Sequence, residues 1–99
     1  MLHTVNKSPF AHNTLEICLK HAKPGSAVLL IEDGVYAATT GTAVSQRLLD
    51  ALATVSIYAL KPDVEARGMQ NRVMDGIKLV DYGGFVDLVV EHHAVQSWL

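Results

Sequence analysis

The chain has 99 residues, of which 49% are hydrophobic and 18% charged, and its formal net charge is −2. This length supports one hydrophobic core and excludes a two-domain enzyme, so we expect a single domain over residues 1–99. The eight Lys and Arg residues are scattered, which gives no general electrostatic reason for direct binding to nucleic acid. A composition so rich in apolar residues predicts that part of the surface meets a partner protein.

The cysteine content and the apolar runs indicate the cellular compartment of the protein. A single cysteine, Cys18, cannot form an internal disulfide, and the N-terminal segment has no long apolar signal region. We therefore expect a reducing, cytoplasmic location. The longest apolar run, residues 27–31, is far shorter than the roughly 20 residues that a membrane-spanning helix needs, so no membrane association is predicted.

The first half of the chain alternates strand and helix signals. Residues 2–5 are apolar and β-branched and predict a first strand. A helix capped near Asn13 follows and stops at Pro24-Gly25. Its core-facing stripe has the i, i+3, i+4, i+7 spacing of Leu15, Cys18, Leu19 and Ala22. Residues 27–31 are continuously apolar, which is typical of a strand covered on both faces in a parallel sheet.

The second half continues the alternation, although residues 94–99 show no strong pattern. Its predicted elements are a helix at 43–52, a strand at 56–60, a short helix at 62–67, a strand at 77–80 and a helix at 82–90. Alternating strands and helices predict an α/β fold with a mostly parallel open sheet between helical layers. In such a sheet ligands bind at the carboxyl ends of the strands, so we expect the site at that edge.

Segments spread along the whole chain carry a family resemblance. They are Leu2-His3-Thr4-Val5-Asn6-Lys7-Ser8-Pro9, Leu29-Leu30-Ile31-Glu32-Asp33-Gly34-Val35, Tyr58-Ala59-Leu60 with Asp63, Ala66-Arg67-Gly68, Val80-Asp81-Tyr82 with Phe85-Val86, and Gln96-Ser97-Trp98. Together they resemble the DsrH/TusB family of the DsrE-like superfamily. The resemblance implies a single-domain, flavodoxin-like sandwich of the DsrE type. It also implies the small subunit of a heterohexamer that contains DsrE/TusD-like and DsrF/TusC-like subunits.

The resemblance further implies a sulfurtransferase function for the complex. Complexes of this family pass sulfane sulfur as a cysteine persulfide between donor and acceptor sulfur-carrier proteins, in dissimilatory sulfur oxidation or in tRNA wobble-uridine 2-thiolation. The sulfur-accepting cysteine belongs to the DsrE/TusD-type subunit, so this chain is expected to support assembly and to shape the site without independent catalysis. Cys18 matches a first-helix cysteine of DsrH-type members, which favours the DsrH type and sulfur oxidation.

Cys18 is nevertheless the candidate catalytic residue, because a thiolate is what persulfide transfer requires. Lys20, His21 and Lys23 are near it in the sequence and would lower its pKa. Its place on an apolar helix stripe instead favours a buried, neutral thiol. Two hypotheses therefore stand, a persulfide carrier and a core residue. A third reading is a stand-alone homo-oligomer that binds a small ligand, and we expect self-association when the chain is alone.

Two acidic or histidine-rich positions have a plain structural interpretation. Asp33-Gly34 lies at the predicted edge and either supplies a carboxylate or forms a tight turn in which Gly adopts a positive φ, and the turn is favoured. His92 and His93 are adjacent on a helix and point apart, which predicts a solvated helix end. No metal, flavin or nucleotide cofactor is expected, because the sequence has no coherent ligand set or glycine-rich phosphate loop.

Two residues near the ends of the chain leave alternatives open. His3 lies in the first predicted strand and is either a hydrogen-bonded core histidine or a group that titrates near neutral pH at the site, and the core role is favoured. Trp98 supplies a large apolar area and one hydrogen-bond donor. It either covers the chain's own core or anchors a partner.

Overall fold

The computed structural model describes all 99 residues and builds them around one five-stranded sheet. The elements in chain order are β1 (Leu2–Val5), α1 (Thr14–His21), β2 (Ala27–Leu30), a 3-10 helix (Glu32–Ala38), α2 (Ser45–Ala51), β3 (Ser56–Leu60), α3 (Lys61–Ala66), β4 (Lys78–Val80), α4 (Tyr82–His92) and β5 (Val95–Trp98). The strand order is β4-β3-β2-β1-β5, and every neighbouring pair is parallel. The predicted α/β class with an open parallel sheet is confirmed.

The two faces of the sheet are covered unequally. One face packs against α1, the 3-10 helix, α2 and α3 around a core of 18 buried residues. The other face packs against α4 around a cluster of four, Leu2, Ala27, Leu29 and Leu88. Because successive strand residues point to opposite faces, β2 contributes to both cores and all of its residues are buried. This explains its unbroken apolar sequence.

The helices begin and end where local chemistry favours it. The predicted stripe of α1 faces the core, since Leu15, Cys18 and Leu19 are buried and Ala22 is half-buried against it. Pro62 lies in the first turn of α3, and Gly68 adopts a φ of +64° just after that helix, as C-terminal glycines do. The α4 helix is capped by Asp81, whose carboxylate accepts a hydrogen bond of 2.8 Å from the Gly84 N–H. No helix has the length and apolar character needed to cross a membrane.

The segment after β2 differs from the tight turn that the sequence predicts. Residues 32–38 form a 3-10 helix, and the positive φ belongs to Glu32, at +51°, and not to Gly34. Gly34 is required for a different reason. A Cβ atom at Gly34 would overlap the carbonyl oxygen of Val5 at the end of β1. The glycine therefore allows the 3-10 helix to lie against the first strand.

The C-terminal segment is the second difference, because the sequence showed no pattern there and the structure has a fifth strand. Strand β5 pairs with β1 in the register Leu2↔Val95 to Val5↔Trp98. It lies at the edge of the sheet, where its first three residues are exposed. An exposed edge strand does not need alternating apolar residues, so its sequence carries little strand signal.

Candidate functional site

The carboxyl ends of the strands open into a polar cleft of about 460 Å³, at the edge where the sequence predicts a site. The loop after β1 and the 3-10 helix after β2 form its walls, and Arg67, directly after α3, adds one side chain. The lining residues are Asn6, Lys7, Ser8, Ala11, His12, Glu32, Asp33 and Arg67. Since only one of them is apolar, the cleft suits polar contacts with a partner more than the burial of an apolar ligand.

Arg67 is the residue that joins the walls of this edge cleft. Its Nη2 and Nε donate to Asp33 Oδ1 over 2.9 and 3.2 Å, and its Nη1 donates to the Asp63 carbonyl oxygen over 3.1 Å. The guanidinium also lies 5.8 Å from the centre of the Tyr36 ring, a distance at which cation–π attraction acts. Arg67 therefore fixes the end of α3 to the 3-10 helix.

Asp63 adds a second connection between the same two elements. Its Oδ2 accepts a hydrogen bond of 2.6 Å from the Glu32 N–H, and this bond holds Glu32 in its left-handed conformation. The charges of Asp33 and Arg67 are thus paired with each other, whereas Lys7 and Glu32 form no ion pair. Asn6 Oδ1 is buried without a hydrogen-bond partner. The charged groups of Lys7 and Glu32 line the cleft and are free to contact another protein.

Cys18 lies away from this cleft, in the larger core beneath α1. The residue has no exposed surface and is the only thiol of the chain. Burial raises the pKa of the Cys18 thiol to about 12, because a thiolate loses its hydration there. The thiol is therefore protonated at neutral pH, and the nucleophilic form needed for persulfide transfer is scarce. This geometry favours the core-residue hypothesis for Cys18.

His3 is a hydrogen-bonded core histidine, as favoured from the sequence. Its exposed fraction is 6%, and its Nδ1 accepts a hydrogen bond of 3.0 Å from the Trp98 Nε1–H. Burial, with a smaller contribution from the N-terminal amine, lowers the pKa of His3 below its usual 6.5. Trp98 also packs against the larger core. The hypothesis that Trp98 covers the chain's own core is therefore confirmed.

His92 and His93 lie at the C-terminal end of α4, where the sequence predicts a solvated helix end. His92 is half-buried, and His93 is exposed and adopts a left-handed φ of +59° that ends the helix. The two are not part of a cluster, since no group of three or more His, Cys, Asp or Glu side chains is placed to hold a metal ion. The exposed position of His93 at the end of α4 agrees with the predicted solvated helix end.

The outer face of α4 is a second candidate surface. Leu88 is the buried residue of this helix, whereas Tyr82, Val86, Val89 and Val90 are exposed. Val86 and Val90 are one turn apart and are 61% and 65% exposed. Neighbouring exposed valines of this kind are typical of a surface that meets another protein. We refer to Tyr82, Val86 and Val90 as the α4 apolar face.

Sequence reasoning missed the contacts that Arg67 and Asp63 make. Both residues lie in segments that carried the family resemblance, and so does Asp33. The structure brings these three residues from two separate segments into one network. Neither hydrophobic periodicity nor spacing encodes a contact between residues 34 positions apart. The family segments were the one signal that could have pointed to it.

Comparison with solved structures shows a shared fold. The ychN protein from E. coli superposes with a TM-score of 0.76 at 17% sequence identity, covering 97% of both chains. The protein MTH1491 from Methanobacterium thermoautotrophicum superposes with a TM-score of 0.73 at 15% identity, covering 97% of this chain and 96% of the other. At this level of identity the likeness concerns the fold alone.

Sequence comparison gives the family. A family model described as "DsrH like protein" matches residues 7–95. Protein TusB of Pectobacterium atrosepticum is 43% identical over 98 residues, covering 99% of this chain and 100% of the relative. Protein TusB of Escherichia coli (strain K12) is 36% identical with the same coverage. The chain therefore belongs to the DsrH/TusB family.

Proposed function

We propose that the chain is the small subunit of a sulfur-relay complex that passes sulfane sulfur as a cysteine persulfide toward 2-thiolation of the tRNA wobble uridine. The observation that carries this proposal is the end-to-end match to proteins named TusB, at 36–43% identity over 98 residues. Sulfur oxidation is the alternative pathway, and it draws on Cys18 as a mark of DsrH-type members.

The role proposed for the chain within the complex is assembly and shaping of the site on a related subunit. Burial of Cys18 supports this role, because the thiol is protonated and has no contact with solvent. The edge cleft supports it as well. Its Arg67–Asp33 pair fixes the end of α3 to the 3-10 helix, while Lys7 and Glu32 present unpaired charges that another subunit can meet.

The proposed partners are DsrE/TusD-like and DsrF/TusC-like subunits in a cytoplasmic heterohexamer, with sulfur-carrier proteins as donor and acceptor. The α4 apolar face supports the existence of such a partner. Valines exposed by more than half leave an apolar helix surface in water, and its burial against another subunit is favourable by roughly 25 cal/mol per Å². In the complex, the essential thiol belongs to the DsrE/TusD-like subunit.

Coexpression tests the partner proposal. The chain produced together with DsrE/TusD-like and DsrF/TusC-like proteins from the same cell should elute in one stable complex that contains all three. The measurement is size-exclusion chromatography with light scattering at micromolar concentration. A chain that elutes apart from both proteins would contradict the proposal. Elution as a complex of itself alone would instead support the stand-alone, ligand-binding homo-oligomer.

A genetic experiment tests the pathway. A strain that lacks its own TusB protein should regain 2-thiouridine in tRNA when it produces this chain together with the chain's native partner subunits. Mass spectrometry of digested tRNA measures the modified nucleoside. The partner subunits without this chain are the control. If the chain and its partners form the complex but restore no 2-thiouridine, the tRNA pathway is wrong and sulfur oxidation takes its place.

A further inference from the structure

The amino-terminal edge of the sheet holds a second cleft, at the opposite end of the strands from Arg67. Its volume is about 340 Å³, and it lies between the end of α1, the start of β1 and the loop that enters β2. The polar side chains that line it are His3, His21, Lys23 and Ser26. No acidic side chain lines this cleft. We call it the amino-edge cleft.

Two of these side chains are nearly buried and have polar atoms without a partner. His3 and Ser26 each have an exposed fraction of 6%. Neither His3 Nε2 nor the Ser26 hydroxyl makes a hydrogen bond within the protein, and neither is sealed off, since the only sealed and unpartnered side-chain atom is Asn6 Oδ1. Both atoms therefore open onto the cleft, where a ligand or a water can hydrogen-bond to them.

The hydrogen bonds of the two histidine rings determine which of their nitrogens carry a hydrogen. An indole N–H can only donate, so the bond from Trp98 requires a bare Nδ1 on His3. In the neutral ring the hydrogen is then on Nε2, which becomes a donor. The lowered pKa of His3 keeps the ring in this form. The ring of His21 is held by its Nδ1–H, which donates to the Ile17 carbonyl oxygen over 2.9 Å.

We propose that the amino-edge cleft binds a small tetrahedral oxyanion of the phosphate or sulfate class. His3 Nε2–H and the Ser26 hydroxyl donate from the floor, and the Lys23 ammonium supplies a positive charge and three further donors at the rim. Such an anion satisfies both unpartnered groups at once. The nearly buried floor favours a compact free anion over the phosphates of a polynucleotide, which stay on the surface of a protein.

The Trp98 indole N–H is the reporter for the test, because it is bonded to the histidine that would hold the anion. The ¹⁵N-labelled full chain is titrated with sodium phosphate while sodium chloride keeps the ionic strength constant. We expect a saturable shift of the Trp98 indole signal. Lys23→Gln and Ser26→Ala should each weaken phosphate binding by about tenfold, as loss of a charge-assisted hydrogen bond does.

Lys20→Gln is the matched control, because it removes the same charge from an exposed position of α1 outside the cleft. It should leave phosphate binding unchanged. Lys23 is also exposed, so its variant remains folded and the comparison stands even if Ser26→Ala does not fold. A shift that chloride alone reproduces, or equal affinities in the two lysine variants, would overturn the proposal. So would a response to an RNA oligonucleotide without a response to phosphate.

Discussion

The indole of Trp98 donates a hydrogen bond of 3.0 Å to Nδ1 of His3, across 95 positions of the sequence. The bond joins the edge strand β5 to its neighbour β1, which also pair in parallel register. Because His3 is nearly buried, its acceptor has few alternatives to this donor. The last strand of the fold is therefore fixed by a side-chain contact as well as by its backbone ladder.

Trp98→Phe should destabilise the protein. The substitution keeps an aromatic ring but removes the donor, so Nδ1 of His3 loses its partner in a nearly buried place. The expected loss is about 1–3 kcal/mol in the free energy of unfolding, measured by urea denaturation. Tyr82→Phe removes a hydroxyl from an exposed ring of α4 and is the control. Equal stability of the Trp98 variant and the wild type would show that the hydrogen bond contributes nothing.

Stability should fall as the pH is lowered through 6.5. Burial lowers the pKa of folded His3 below 6.5, so just below that pH the unfolded chain binds a proton that the folded chain does not. Proton binding to the unfolded state then favours unfolding. His3→Gln retains an acceptor for Trp98 and removes the titration, so its loss of stability between pH 7 and 5 should be smaller. His12→Gln, at an exposed position, is the matched control.

Gly34→Ala should be among the most damaging single changes in the chain. Its Cβ would overlap the Val5 carbonyl oxygen, so the backbone of β1 or of the 3-10 helix must move. We expect a loss of about 3 kcal/mol or more. Gly83→Ala is the matched control, because its Cβ would meet only Asp81 Oδ1 at 3.4 Å and alanine favours a helix. Thermal unfolding should show a melting temperature below that of the wild type for Gly34→Ala and above it for Gly83→Ala. A Gly34→Ala variant as stable as the wild type would show that the close approach of Gly34 to Val5 does not require glycine.

The sequence predicted the sheet and its helices better than the details that build the sites. The continuous apolar run of strand β2 and the helical spacing of apolar residues in α1 are sufficient to predict that these residues are buried. Strand β5 was missed, since an exposed edge strand needs little hydrophobic patterning. The role of Gly34 was also missed, because its cause is a close approach between two backbones and not a local conformation.

Part of the candidate site could likewise be predicted from the sequence, and part could not. That a site lies at the carboxyl edge follows from the parallel topology alone. The Arg67–Asp33 pair does not follow, because it depends on how the 3-10 helix and the end of α3 pack against each other. The pairing of His3 with Trp98 is similarly non-local. Burial of Cys18 was predictable from its spacing on α1, and the structure adds the pKa consequence.

Val86→Glu should prevent or weaken assembly with the related subunits and leave the fold intact. Val86 is exposed in the isolated chain, so a carboxylate there remains solvated, whereas in an apolar interface it would be buried without a partner. Size-exclusion chromatography of the coexpressed complex measures the effect, and circular dichroism checks the fold. Leu49→Glu, on α2 at the other face of the sheet, is the matched control. Normal assembly of the Val86 variant would exclude the α4 apolar face from the interface.

In the isolated, folded chain we expect the Cys18 thiol to react slowly. The thiol is fully buried and its pKa is raised to about 12, so iodoacetamide should alkylate it slowly in the folded protein at neutral pH. Unfolding in urea should accelerate the reaction greatly, because exposure returns the thiol to its ordinary pKa. Rapid alkylation of the folded chain would contradict the buried position of Cys18.

We propose that this chain shapes a sulfur-relay complex in which another subunit carries the sulfur. The direct measurement is mass spectrometry of persulfide on every subunit of the reconstituted complex, together with transfer to the acceptor, for the wild type and Cys18→Ser. Cys18→Ala controls for the cost of a buried hydroxyl. We expect persulfide on the DsrE/TusD-like subunit, none on Cys18, and retained assembly and transfer in both variants. Donor-dependent persulfide on Cys18, with transfer abolished in a correctly assembled variant, would make Cys18 the carrier and rule out a purely shaping role.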